Sequence, residues 1–280
     1  MSATFTCLGH DFSVSASDPV MQSLVERLFA PFASSAEPAV HYTVVEWDAL
    51  EPPAFAVYVD AQRTRTTDDP TIALAHLIWE VNRNAIAGSA TNLLLHAAAA
   101  ERGGRAVLLP APSGWGKSTT VAGLVARGFG YLTDDVSVLD ASGVVQPYPK
   151  PIALARRLRR LFPDLEMLPK AADRYLGEEG FVTPEDLGGQ VGQPSVIGLV
   201  VIPRYSADAA NRLVELPRSE CLRLLVEQSF NIASLGTTAL PTLSRCLEGC
   251  GCYRLEYRDL PVAVELVASA LHKGAPDVAG

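Results

Sequence analysis

Apolar residues follow two different rhythms along this chain. In the first ninety residues they are spaced: Val20, Leu24, Leu28 and Phe29 recur at helical intervals and predict a helix over Pro19–Phe32. His41–Trp47 and Phe55–Asp60 read as short strands, separated by the turn-forming Glu51-Pro52-Pro53. Ile72–Asn84 is a second amphipathic helix, preceded by the capping and turn sequence Asp68-Asp69-Pro70. From Asn92 the apolar residues run together. Leu93–Ala100 and Ala106–Pro110 predict two strands of a hairpin joined at Arg102-Gly103-Gly104. Ser118–Arg127 predicts a helix closed by Gly128, and Tyr131–Leu139 the next strand, ending at Asp140-Ala141-Ser142-Gly143.

Beyond the proline-bounded loop Pro147–Pro151, Ala153–Phe162 reads as a basic helix and Val196–Pro203 as a buried strand. Ser219–Asn231 reads as a helix with Glu220 in its first turn, and Tyr253–Tyr257 with Pro261–His272 as a closing strand and helix. Residues 163–194, rich in Gly, Pro and acidic side chains, read as irregular and able to cover a site. The expected fold class is layered α/β, with a small α/β N-terminal subdomain over 1–90 and a larger domain over 91–280.

Composition narrows the function classes. A net charge of −8 over 280 residues argues against nonspecific nucleic-acid binding, which needs a basic footprint. No apolar run reaches the ~20 residues of a spanning helix, and the N-terminus lacks the pattern of a signal peptide. The expectation is a cytoplasmic chain with neither membrane nor nucleic acid as partner. The five cysteines are then expected as thiols. Cys246, Cys250 and Cys252 are clustered, but lack a fourth zinc ligand at convincing spacing.

The chemistry concentrates at Ala111-Pro-Ser-Gly-Trp-Gly-Lys-Ser-Thr119, which follows one predicted strand and opens a helix. A loop of this type surrounds a polyphosphate with backbone N–H groups. Ser113, Gly114, Trp115, Gly116, Lys117, Ser118 and Thr119 are the candidate nucleotide-binding residues. Lys117 would reach the β/γ-phosphates and Ser118 would bind Mg²⁺. Ala111 stands where the usual pattern has Gly; beside Pro112 it predicts an extended entry that needs no positive φ.

Two further groups can be placed relative to this loop. The chain reverses after the loop helix and returns along a strand, bringing Asp134-Asp135 back towards the phosphates. One carboxylate could hold Mg²⁺ and the other accept a proton from an attacking hydroxyl; as adjacent strand residues they are expected on opposite faces. His96 lies in the otherwise apolar run Leu-Leu-Leu-His-Ala-Ala-Ala, where a histidine is usually structural.

The succession of His96, Ala111–Thr119 and Gly130-Tyr-Leu-Thr-Asp-Asp135 resembles the catalytic core of HPr kinase/phosphorylase, and more closely the HPr-kinase-related kinases. The specific part covers Leu93–Asp140, with a weaker echo at Leu224–Asn231. The resemblance implies a P-loop kinase core of the HPr kinase/phosphoenolpyruvate carboxykinase type that uses ATP and Mg²⁺. It makes Asp135 the general base towards a Ser or Thr hydroxyl, with Asp134 supporting the metal or orienting the nucleophile. Lys117 would stabilise the transferring phosphoryl, and His96 would sit beside the acceptor. The implied acceptor is a small protein or peptide, including a peptide-natural-product precursor, and a homo-oligomer stays open. The family's second metal ligand, a glutamate, has no clear counterpart, since Lys150 and Arg156-Arg157 occupy that region. Its phosphorolysis loop is only loosely echoed at Leu216-Pro-Arg218, so no efficient reverse reaction is expected. Arg204 is the leading candidate for a catalytic arginine, with Arg212 and Arg218 as others. A small-molecule hydroxyl kinase and a non-catalytic ATP-binding regulatory or scaffold protein are the alternatives.

Overall fold

Two Asp-Pro pairs set the N-terminal architecture. In the computed structural model, which describes residues 3–47, 54–162, 165 and 179–273, Asp18 accepts from Met21 N at 2.8 Å and Asp69 from Thr71 N at 2.7 Å. Each helix then starts at proline, whose missing N–H would have had no helical partner there. The elements are β1 (Ala3–Cys7), β2 (His10–Ala16), α1 (Pro19–Phe29), β3 (Val40–Trp47), β4 (Ala54–Val59), β5 (Gln62–Thr67) and α2 (Pro70–Gly88). They form one five-stranded sheet in sequential order, antiparallel except where α1 carries the chain from β2 to the parallel β3. Phe5, Phe12, Phe29 and Tyr42 pack in its core with neighbouring ring centroids 5.4–5.7 Å apart. The strands β1, β2 and β5 were not expected from the sequence. Their buried positions are few, and in β5 none is buried.

This compact unit holds the chain up to Ser89, with Ala153–Arg159 and the strand at 179–182; a second unit begins at Ala90. The remaining elements are β6 (Leu93–Leu95), β7 (Ala97–Arg102), β8 (Arg105–Pro110), α3 (Lys117–Ala126), β9 (Gly130–Thr133), β10 (Ser137–Leu139) and β11 (Val144–Gln146). They continue as β12 (Ile152–Ala155), β13 (Glu179–Val182), β14 (Ser195–Tyr205), β15 (Arg212–Glu215) and α4 (Arg218–Glu227). The chain then runs through α5 (Ile232–Leu235), α6 (Ala239–Cys246), β16 (Gly251–Tyr257) and α7 (Leu260–Lys273).

The second unit is built on a mixed nine-stranded sheet, whose long central β14 runs parallel to both β8 and β16. On one face Leu108, Val200 and Ile202 share a buried cluster with Cys221, Leu225 and Leu243. Strand alternation sends Val107 and Leu109 to the other face, where α3 and α7 pack together. Gly123 permits that approach, because a Cβ there would lie 2.8 Å from Val264 Cγ2. All five cysteines are free thiols. Among the described residues no three His, Cys, Asp or Glu side chains are arranged to hold a metal, and no helix is long and apolar enough to cross a membrane.

Three expectations need correction. Leu93–Ala100 is two strands, because the His96 N–H leaves the sheet and donates to the Gln228 carbonyl at 2.6 Å. Tyr131–Leu139 is likewise broken, into β9 and β10, so Asp134 and Asp135 are not strand neighbours on opposite faces. The basic helix over Ala153–Phe162 does not form. Ile152 and Leu154 alternate into the interior as β12, and Arg156–Leu161 makes only a short 3₁₀ turn. Four arginines at positions 156, 157, 159 and 160 would repel one another at helical spacing. Part of the expected irregular segment, 163–164 and 166–178, lies outside the described residues; its remainder includes β13 and a 3₁₀ turn at Glu185–Leu187.

Candidate active site

Strand β8, with Val107–Pro110 all buried, delivers the chain to Ala111, and the loop closes onto α3 at Lys117. Ala111 is buried without a positive φ, whereas Gly114 (φ 82°) and Gly116 (φ 103°) occupy the left-handed region open to glycine. A side chain at Gly116 would also fall on the Tyr257 hydroxyl. That hydroxyl lies 3.1 Å from Thr120 Oγ1 and donates to the Gly116 carbonyl at 3.5 Å, pinning the loop to β16. On the other side Tyr205 N donates to Trp115 O at 3.3 Å. Ser113, Gly114 and Trp115 are exposed, Ser118 and Thr119 are half-buried, and Lys117 is buried. The Arg204 guanidinium stands 5.7 Å from the centre of the Trp115 ring, flanking the loop.

Lys117 Nζ donates to Ala111 O at 2.7 Å and to Pro112 O at 3.4 Å, and lies 3.1 Å from His96 Nε2. Burial pushes its pKa down and so does Lys150, while Asp135 and Asp134 oppose the shift. His96 Nε2 is also 2.8 Å from Asp135 Oδ1. Lys117, His96 and Asp135 therefore form one contiguous chain of ionisable groups. The second aspartate goes elsewhere: Ser118 Oγ donates to Asp134 Oδ1 at 2.9 Å, with Asp134 almost fully buried.

The backbone separates the two carboxylates. Asp135 has φ 86°, a conformation L-residues rarely adopt and Asp tolerates better than most. Thr133 Oγ1 fixes the kink by donating to Val136 O at 2.9 Å. Burial alone would raise the Asp135 pKa. The His96 hydrogen bond, followed by the charges of Lys150, His96 and Lys117, outweighs it and holds the carboxyl down at about 2. Asp135 is thus ionised at neutral pH.

Gln228 is the residue that sequence reasoning missed. Its Oε1 lies 2.9 Å from His96 Nδ1 and its carbonyl accepts the His96 N–H. An amide oxygen only accepts, so Nδ1–H is the donor in this contact, and Nε2 is the nitrogen turned to Lys117 and to the Asp135 carboxylate, to which it hydrogen-bonds as a donor. Asn231 holds the preceding strand, accepting from Leu94 N at 3.0 Å and donating to Asn92 O at 2.8 Å. Both lie within Leu224–Asn231, the segment whose pattern stood out in the sequence without a role. Lys150 is a second cation facing Asp135. Of the arginines, Arg204 lies at the loop, while Arg212 pairs with Glu256 at 2.7 Å.

The donor set fits a metal–polyphosphate. Loop N–H groups, the start of α3 and Lys117 suit the anionic chain, and Ser118 with Asp134 offers two hard oxygens. Mg²⁺ commonly takes one or two protein oxygens and completes its shell with phosphate and water, so a larger protein cage is not required.

No family model matches the chain, and no curated protein matches it in sequence. Among solved structures, the Hpr(Ser) kinase/phosphatase from Coxiella burnetii is similar over 64% of this chain and 91% of its own, at 14% identity and a TM-score of 0.30. A likeness that distant carries no argument about chemistry, and the functional reading rests on the side chains.

Proposed function

We propose that this chain is an ATP- and Mg²⁺-dependent kinase that transfers the γ-phosphoryl group to a Ser or Thr hydroxyl of a small protein or peptide. The observation that carries this reading is the continuity of Lys117, His96 and Asp135 beside a loop suited to polyphosphate. Lys117 balances charge on the phosphates. Asp135 orients the acceptor hydroxyl and takes its proton as the new oxygen–phosphorus bond forms and the bond to the ADP leaving group breaks. His96, fixed by Gln228, donates from Nε2 to the Asp135 carboxylate and steadies it. Mg²⁺, held by Ser118 and Asp134, would supply further charge neutralisation when bound.

The test is incubation of the purified protein with ATP, Mg²⁺ and candidate peptides and small proteins, followed by intact-mass measurement. A gain of one phosphate on a Ser or Thr, absent with Asp135→Asn, is the expected result. ATP binding with no phosphorylated product from peptides, proteins or free amino acids would overturn it.

A further inference from the structure

The N-terminal unit carries a surface that phosphoryl transfer leaves unexplained. Strand β5 ends the five-stranded sheet, pairing only with β4, so its outer edge presents backbone groups with no partner strand among the described residues. Helix α2 lies alongside it, tied by His76 Nε2 at 3.1 Å from Thr64 Oγ1. Between them runs a groove of ≈ 460 Å³ lined by Arg65, Ile72, Ala75, His76 and Trp79. Trp79 is 53% exposed and Ile72 40% exposed, an unusual allocation of two large apolar side chains beside an open strand edge.

Charge decides what fits. Residues 1–89 hold 11 acidic side chains and only four arginines, yet Arg63, Arg65 and Arg83 all lie on β5 and α2. Of the nearby acids, Asp68 at the end of β5 is exposed, while two others are engaged. Asp69 caps α2, and buried Glu80 binds Arg83 at 2.6 Å and lies 3.4 Å from His76. Arg83 also lies against the Trp79 ring, 5.2 Å from its centroid, and His76 stacks on that ring at 5.5 Å. A second copy is a poor occupant, since edge-to-edge pairing would set the β5 arginines of one chain against those of the other.

We propose that the β5 edge and the Ile72–Trp79 groove bind an extended acidic peptide segment, which adds a strand to β5 and seats an apolar side chain between Ile72 and Trp79. Main-chain hydrogen bonds would supply affinity, and the pocket with Arg65 at its edge would supply selectivity. This goes beyond the kinase reading and does not depend on it, because docking needs neither nucleotide nor Lys117.

The experiment uses the full chain and fluorescein-labelled decapeptides of Thr-Val repeats with a central Leu or Phe, flanked by Glu, by Gln or by Lys, read by fluorescence anisotropy without ATP. Glu-flanked peptides should bind tighter than Gln-flanked ones, and Lys-flanked ones least, with a preference that shrinks as salt rises. Trp79→Ala and Arg65→Glu should each weaken the Glu-flanked peptide by at least about fivefold, with melting temperature and ATP binding unchanged. N-methylation of alternate peptide amides should abolish binding in one register only. Lys117→Ala should bind the peptide normally, which separates this surface from the transfer site. Absence of binding, equal binding of all three charge classes, or binding indifferent to Trp79→Ala and Arg65→Glu would overturn the proposal.

Discussion

Replacing Asp135 by asparagine removes one charge and alters little else. The side chain keeps its shape and its Oδ1 acceptor, and asparagine tolerates the φ of 86° as aspartate does. The charge, however, faces His96, Lys117 and Lys150. The His96 and Asp135 side chains are 25% and 41% exposed, so solvent screening limits their ion pair to no more than about 1 kcal/mol. That predicts a melting temperature lowered by only about 2–4 °C. Loss of the base should cost far more in rate, about 10²- to 10⁴-fold in kcat/KM, or roughly 3–5 kcal/mol of transition-state stabilisation. The assay follows phosphate incorporation by intact mass, with ATP affinity read from the fluorescence of exposed Trp115 and stability from thermal melting. ATP affinity should stay within about threefold, since loop and lysine are untouched. Transfer at the wild-type rate would refute the role assigned to Asp135. So would a rate loss matched by collapse of ATP affinity and fold, which would make the residue structural. Asp135→Gly is the companion variant. It relieves the backbone strain while deleting the carboxylate, so retained activity there would show that only the kink matters.

Ser118→Ala, which removes one hydrogen bond to Asp134, should raise the Mg²⁺ concentration for half-maximal transfer by at least about tenfold while preserving the melting temperature. Gln228→Leu should free the His96 ring; its ¹⁵N chemical shifts would report the lost Nδ1 contact, and kcat should fall by about 10- to 100-fold. Gly123→Ala places a Cβ 2.8 Å from Val264 Cγ2, and the overpacking should exceed the helix-propensity gain, leaving a net loss of about 1–2 kcal/mol by chemical denaturation. For acid titration, the folded Asp135 pKa lies below its unfolded value of 3.8, at about 2. Its stabilising increment is therefore present above pH ~4 and lost as pH falls towards ~2. The difference in stability between wild type and Asp135→Asn should shrink across that window, and a constant difference would count against the assigned shift.

The helix start at Pro19, the capping sequence Asp68-Asp69-Pro70, the β7–β8 hairpin and the turn from β8 into α3 were legible because each is specified locally. A cap, a proline, a paired glycine or a run of buried apolar residues acts within a few positions of itself. The candidate loop was legible for the same reason, since Gly114, Gly116, Lys117 and Ser118 are contiguous. What the sequence could not determine depends on residues far apart in it. The break at His96 requires Gln228, 132 positions away, to take its N–H out of the sheet. The kink that sends Asp134 to Ser118 and Asp135 to His96 places a non-glycine residue at positive φ, a conformation that the flanking apolar strand pattern does not mark. Edge strand β5, without one buried side chain, has no hydrophobic signal of its own; it exists because β4 offers a ladder to complete. The sequence by itself determined the locally specified helix starts and the strand, loop and helix that carry Gly114, Gly116, Lys117 and Ser118. Only tertiary structure decided which acid meets which base, because that pairing is set by long-range hydrogen bonds whose partners leave no periodic trace.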